Sequence, residues 1–198
     1  ASENIDELIN KYDLKKFILL FPFCSPHLTL KKWPYYEKIT DLILENFGNE
    51  YKVITAPGPN EIKDSKNFKA TPVLDNDKAL NISQLTTLIQ KSSFVIANDT
   101  GPAHIAAHTN TKGLALFGKH TTAYKVSIER ENFKAIQVED LNNLSAEKVF
   151  ERILLASILK HPYLFPIRTA LVLILIIIRN LRRAADMRRL ELRVGNRD

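Results

Sequence analysis

The sequence is poor in sulfur and in long apolar runs. Its 198 residues include one cysteine, Cys24, and one methionine. A single thiol excludes a disulfide framework within the chain and a cysteine-built zinc site, and it fits a reducing compartment. No stretch of 18 apolar residues occurs, which excludes an ordinary transmembrane helix. The polar residues 1–10 do not read as a signal peptide. Lysine is absent from residues 161–198, where 8 Arg face 3 acids, a net of +5. Residues 1–160 hold 18 Lys and 2 Arg against 19 Asp and Glu, a net of +1. The total charge of +6 therefore belongs to the tail, and the nearly neutral body gives no electrostatic footprint for nucleic acid. What is present, 45% hydrophobic and 25% charged residues, is the composition of a packed domain.

Strand-like and helix-like stretches alternate along the body. Residues 17–23 (FILLFPF) form a continuous apolar run, as expected of a strand buried on both faces. Pro34 then opens a helical pattern with Tyr35, Ile39, Leu42, Ile43 and Phe47, stopped by Gly48. Residues 51–56 read as a second strand, ended by the turn signal Pro57-Gly58-Pro59-Asn60, and a short helix can follow from Glu61. After a loop around residues 75–77, Ile82, Leu85, Leu88 and Ile89 predict one buried helical face with Asn81 or Ser83 as cap. Residues 94–97 and Gly113–Phe117 predict two further strands, with a helix of small residues at 103–108 between them. Ser145 caps a last helix whose stripe is Val149, Phe150, Ile153, Leu154 and Ile158. Short strands separated by helices imply parallel βαβ units, hence a Rossmann-like open parallel sheet with helices on both faces. The expected division is a leader at residues 1–14, the domain at 15–160 and a helical tail at 161–198.

The tail carries an apolar run at residues 170–178 (ALVLILIII) followed by Arg179, Arg182, Arg183, Arg188 and Arg189. As a helix the run would be about 14 Å long, too short for a bilayer core of about 30 Å. It reads as an interfacial anchor giving peripheral membrane contact, as a helix packed on the domain, or as a segment foreign to the body.

In an open parallel sheet, ligands bind beyond the carboxyl ends of the strands. Three loops of this sequence fall there. After residues 94–97 come Asp99, Thr100, Gly101 and Pro102, then a helix with His104 on its first turn. Gly101 lets a ligand approach the backbone, Pro102 suits the first helical turn, and the free N–H groups favour an anion, most simply a phosphate. Thr100 can donate its hydroxyl, whereas ionised Asp99 only accepts and suits a sugar hydroxyl better. The plainer reading makes Asp99 a helix cap and His104 a satisfied, half-buried histidine. In the first loop Ser25 and Lys31 can face the same anion; the plainer reading is a surface lysine pair with a packing tryptophan. In the second loop Glu61 can accept from ribose hydroxyls or simply close a turn. His104 and His108, four residues apart, permit a metal pair, but no third ligand stands at diagnostic spacing, and no metal is expected.

Together the loops resemble the C-terminal, donor-binding half of the ADP-heptose:lipopolysaccharide heptosyltransferases, glycosyltransferase family nine. The first loop supplies Pro22, Ser25, Lys31, Trp33 and Pro34, and the second Gly58 and Glu61. The most specific element is Asp99, Thr100, Gly101, Pro102, His104, Ala106 and Ala107, leading to Leu116, Phe117 and Gly118. The likeness runs over roughly residues 15–160. The sequence departs from the family pattern at Phe23, where glycine is usual, at Lys119, where proline is common, and in the loop at residues 120–130.

The resemblance implies one half of a two-domain GT-B glycosyltransferase and inverting transfer of heptose from ADP-heptose to the lipopolysaccharide inner core, in the cytoplasm or peripherally at the inner membrane. It assigns Ser25, Lys31, Thr100 and Gly101, with Pro102 beside them, to the diphosphate. Asp99 and His104 go to the sugar–phosphate junction and Glu61 to the ribose. Lys31 and His104 would stabilise the transition state without a metal or other cofactor. The acceptor and the catalytic base belong to an N-terminal domain absent from this sequence, so the chain is expected to be a fragment that binds the donor. A catalytically silent nucleotide-sugar-binding module and a glycosyltransferase using another nucleotide sugar stand as alternatives.

Overall fold

A computed structural model describes residues 2–25 and 27–158. The tail expected at residues 161–198 lies outside them, as does the side chain of Ile158. The chain divides into two compact units, Ala1–Phe150 and Glu151–Asp198. Everything that follows concerns the first unit, apart from the extent of the last helix.

Six strands form one all-parallel sheet: β1 (Phe17–Phe21), β2 (Lys52–Thr55), β3 (Thr71–Pro72), β4 (Phe94–Asn98), β5 (Gly113–Phe117) and β6 (Phe133–Gln137). Their spatial order is β3-β2-β1-β4-β5-β6. This is the doubly wound Rossmann order, in which the chain reverses its direction of travel between β1 and β4 and leaves a crevice at their carboxyl ends. Register there pairs Phe21 with Ala97, and on the far side of β4 pairs Asn98 with Leu116. Every residue of β1, β4 and β5 is buried, which explains their apolar sequences, broken only by Asn98 at the end of β4.

Among the described residues six α-helices accompany the strands: α1 (Ser2–Lys11), α2 (Tyr36–Phe47), α3 (Ile62–Ser65), α4 (Ile82–Lys91), α5 (Gly101–His108) and α6 (Ala146–Ile158). One core cluster joins Ile5 and Leu8 of α1, Leu88 and Ile89 of α4 and Ala103, Ala106 and Ala107 of α5 to Leu19, Val95 and Ala115 of the sheet. The intervening residues Ile18, Leu20 and Ile96 are also buried and, by strand alternation, point to the opposite face. There α2 buries Ile39 and Ile43, Phe47 packs against Phe150, and Lys38 pairs with Glu147 at 2.7 Å. Helices on both faces are thus present as the sequence implies.

Four expectations need correction. Residues 2–11 are not a leader: they form α1, whose Ile5 and Leu8 sit in the core. Ile82 does not belong to the buried face of α4; it opens the first turn and is 70% exposed, while Gln84 is buried in the reciprocal cap with Asn81. The first strand ends at Phe21, because Pro22 has no N–H to continue the ladder. Strands β3 and β6 had no sequence counterpart: β3 is two residues long, and β6 (FKAIQ) buries only Phe133 and Ile136.

Candidate functional site

The carboxyl end of β4 places two consecutive polar residues, Asn98 and Asp99, at the switch point. Asn98 is fully buried, and both ends of its amide are engaged. Its Oδ1 accepts from the Trp33 backbone N–H at 3.2 Å and from the Tyr36 hydroxyl at 3.4 Å, and its Nδ2 donates to Pro22 O at 3.0 Å. One side chain therefore fixes the loop after β1 and the entry to α2 against β4. Trp33, also buried, donates from Nε1 to Leu144 O at 2.7 Å. This frame positions the short 3-10 turn Thr29–Lys31, from which Lys31 reaches across the crevice.

Lys31 Nζ lies 2.7 Å from Asp99 Oδ2 and 3.3 Å from the Asp99 carbonyl oxygen. His120, in the loop after β5, approaches the same Oδ2 at 3.0 Å through Nε2, and His104 Nε2 lies 3.5 Å from Oδ1. The Asp99 side chain is 4% exposed and that of His120 9%, against 24% for Lys31. Burial pushes the Asp99 carboxyl up, but hydrogen bonds from Lys31 and His120, together with their charge, outweigh it and hold the group below the ordinary aspartate range. Asp99 is therefore an anion held by a cation and a ring N–H, and it is not the cap of α5. That position is Thr100, whose backbone is extended and whose side chain makes no capping bond; its hydroxyl donates to Asn98 O at 3.3 Å.

Beside this cluster, toward β2, lies a pocket of about 240 Å³. Ser25, Glu61 and Thr100 give it a polar rim, and Phe23, Leu80, Leu85 and Pro102 an apolar wall. A second concavity of about 320 Å³ shares Phe23, Ser25 and Glu61 and extends to Lys32 and Asp64. Glu61 accepts from Gly58 N–H at 2.7 Å and so closes its own turn while bordering both spaces. Phe23, in the family's glycine position, packs edge-on against Phe68. Gly101 is exposed, and a Cβ built there meets nothing within 4 Å, so the approach to the first turn of α5 is open. The eight residues named from sequence thus fall in two adjoining groups. Ser25, Glu61, Thr100 and Pro102 line the pocket, with Gly101 open at the start of α5. Lys31, Asp99 and His104 form the charged cluster, in which Lys31 is an ion-pair partner and not a free surface cation.

His104 and His108 do not converge. His108 Nδ1 donates to His104 O at 2.8 Å, and its Nε2 faces Arg130 at 3.2 Å. Among the described residues no group of three or more His, Cys, Asp or Glu side chains could hold a metal ion. Sequence reasoning missed Asn98 and His120. The signal for His120 was positional: β5 neighbours β4, so the residues after Gly118 emerge beside Asp99.

Residues 3–152 match the model of glycosyltransferase family 9 (heptosyltransferase), and the chain belongs to that family. No curated protein matches the sequence significantly. Among solved structures, similarity extends to E. coli ADP-heptose lps heptosyltransferase II (15% identity, TM-score 0.64, covering 81% of this chain and 53% of that one). It extends also to the E. coli heptosyltransferase WaaC with ADP (16%, 0.63, 77% and 48%). A glycosyl transferase family 9 structure from Veillonella parvula matches at 16%, 0.55, 67% and 39%. The chain thus spans about half the length of the heptosyltransferases it resembles. Among the described residues, no helix is long and apolar enough to cross a membrane.

Proposed function

We propose that the crevice between β1 and β4 binds a nucleoside-diphosphate sugar and that the chain is the donor-binding half of a glycosyltransferase acting on ADP-heptose. The observation that carries this reading is the meeting of three loops, from β1, β2 and β4, at one 240 Å³ pocket next to the Lys31–Asp99 pair. Membership of glycosyltransferase family 9 supports the donor class.

In this reading the apolar wall takes the base, and Glu61 accepts from a ribose hydroxyl with the carboxylate capacity left over from Gly58. The diphosphate lies against the N–H groups at the start of α5, with the Thr100 and Ser25 hydroxyls and one Lys31 N–H directed at it. An acceptor hydroxyl attacks the anomeric carbon, the bond from that carbon to the diphosphate oxygen breaks with its electron pair, and ADP leaves. Inverted configuration follows from a single displacement, and the hydroxyl proton passes to a base outside this half. Negative charge grows on the leaving diphosphate, so Lys31, His104 and the α5 dipole stabilise the transition state more than the bound donor. That supply of positive charge makes a metal unnecessary. The acceptor is the lipopolysaccharide inner core, which would set the work at the cytoplasmic face of the inner membrane.

A second reading is donor binding by these residues, with transfer requiring groups outside them; the chain spans about half the length of its structural relatives. Calorimetry with ADP, UDP and GDP, followed by a transfer assay on the same purified chain, tests both. ADP bound in preference to UDP and GDP, with transfer only after an N-terminal domain is added, is the expected result. No uptake of any nucleotide would overturn the donor site, and full transfer by the chain alone would overturn the division of labour.

A further inference from the structure

The Asp99 carboxylate is held unevenly. Both strong partners, Lys31 and His120, meet on Oδ2, whereas Oδ1 has only His104 at 3.5 Å. The two partners also differ in freedom. Lys31 is a flexible chain at the rim of the site, and its ammonium is the group the donor's diphosphate would draw on. His120 is fixed: its ring stacks on Phe117 with centroids 6.1 Å apart and an interplanar angle of 13°, and its side chain is 9% exposed. A carboxylate only accepts, so Nε2 carries the proton in this contact. Nδ1 is enclosed without a partner, close enough to Gly118 that a Cβ there would lie 3.5 Å away. The proton on Nε2 therefore makes the ring's one hydrogen bond to the protein, and the stack on Phe117 keeps that donor immobile.

We propose that His120 is a positioning residue for sugar recognition: it anchors Asp99 through Oδ2 so that Oδ1 stays presented to a sugar hydroxyl when an anionic ligand engages Lys31. Without it, movement of the ammonium toward phosphate would leave the buried carboxylate free to rotate. The proposal rests on the donor-site reading above and adds to it a residue outside the three loops that carry that reading. His120 stands in the loop whose sequence departs from the family pattern.

The test compares the affinity of ADP with that of an intact ADP-sugar, by calorimetry, in wild type, His120→Phe and His120→Gln. Phe keeps the stack on Phe117 and removes the donor; Gln loses the stack but returns an N–H to the Nε2 position. In His120→Phe the ADP-sugar should weaken about tenfold, the scale of one hydrogen bond to a charged group, while ADP weakens much less. His120→Gln should recover most of the difference. Equal losses for ADP and ADP-sugar would mean that His120 only supports the fold, and unchanged affinities would remove it from the site; either result overturns the proposal. Failure of wild type to bind ADP would sink the donor-site reading instead. If His120→Phe does not fold, His120→Asn, too short to reach the carboxylate, takes its place in the same comparison.

Discussion

Asn98 and Asp99 are adjacent in sequence and opposite in use. Asn98 is neutral, fully enclosed, and spends its amide on the Trp33 N–H, the Tyr36 hydroxyl and Pro22 O. Asp99 is charged, is buried beside the crevice, and is held by one fixed and one flexible side chain. The first residue welds the loop after β1 to the sheet; the second presents a charge whose partner is able to leave. A binding site on an open parallel sheet needs both, because the loops must be immobile while the groups they carry stay exchangeable.

Three substitutions separate the two roles. Asn98→Ala should have the largest effect, about 3 kcal/mol of stability in chemical denaturation, because it strands the Trp33 N–H and the Pro22 carbonyl in the interior. A loss under about 1 kcal/mol would show that water replaces the amide and that the weld is not there. Lys31→Met should come next, and in the opposite sense. It should weaken ADP binding about tenfold, close to 1.4 kcal/mol, and shift unfolding much less, since His120 still holds Asp99. An equal loss in both measurements would merge the two regions into one structural unit.

The smallest expected effect is on pH dependence. The Asp99 carboxyl titrates lower in the folded chain than in the unfolded one, so its contribution is fully present above the unfolded value of about 3.9 and is lost as pH falls through the lower, folded value. Thermal stability followed downward from pH 7 should therefore decline at the acid end, and Asp99→Asn should make that decline shallower. Identical acid limbs would show that Asp13 and Glu147, which are also held low by lysines, account for it.

How far the sequence revealed this arrangement followed how strongly each element is buried. Strand β5 was legible to the residue, and β1 and β4 nearly so, because strands covered on both faces are built almost wholly of apolar side chains. Asn81 was legible as a cap, and its bond from Gln84 N–H is present. The outer strands β3 and β6 were not legible, since an edge strand covered on one side carries polar residues that blur the alternation. Helix α1 was obscured by its polar composition, although Ile5, Leu8 and Ile9 stand at helical spacing. The DTGP loop and Lys31 were visible as separate motifs, whereas their ion pair, 68 residues apart in sequence, depends on the strand order that brings β1 beside β4. His120 depends on the same order through β5.

The 2.7 Å pairing of Lys31 with Asp99 also bears on how a ligand would arrive. With Lys31 matched by a carboxylate, and a body whose charges nearly cancel, the domain projects little field into solvent to guide anions from a distance. Capture would then hinge on close-range fit, and encounter rates should respond only faintly to ionic strength.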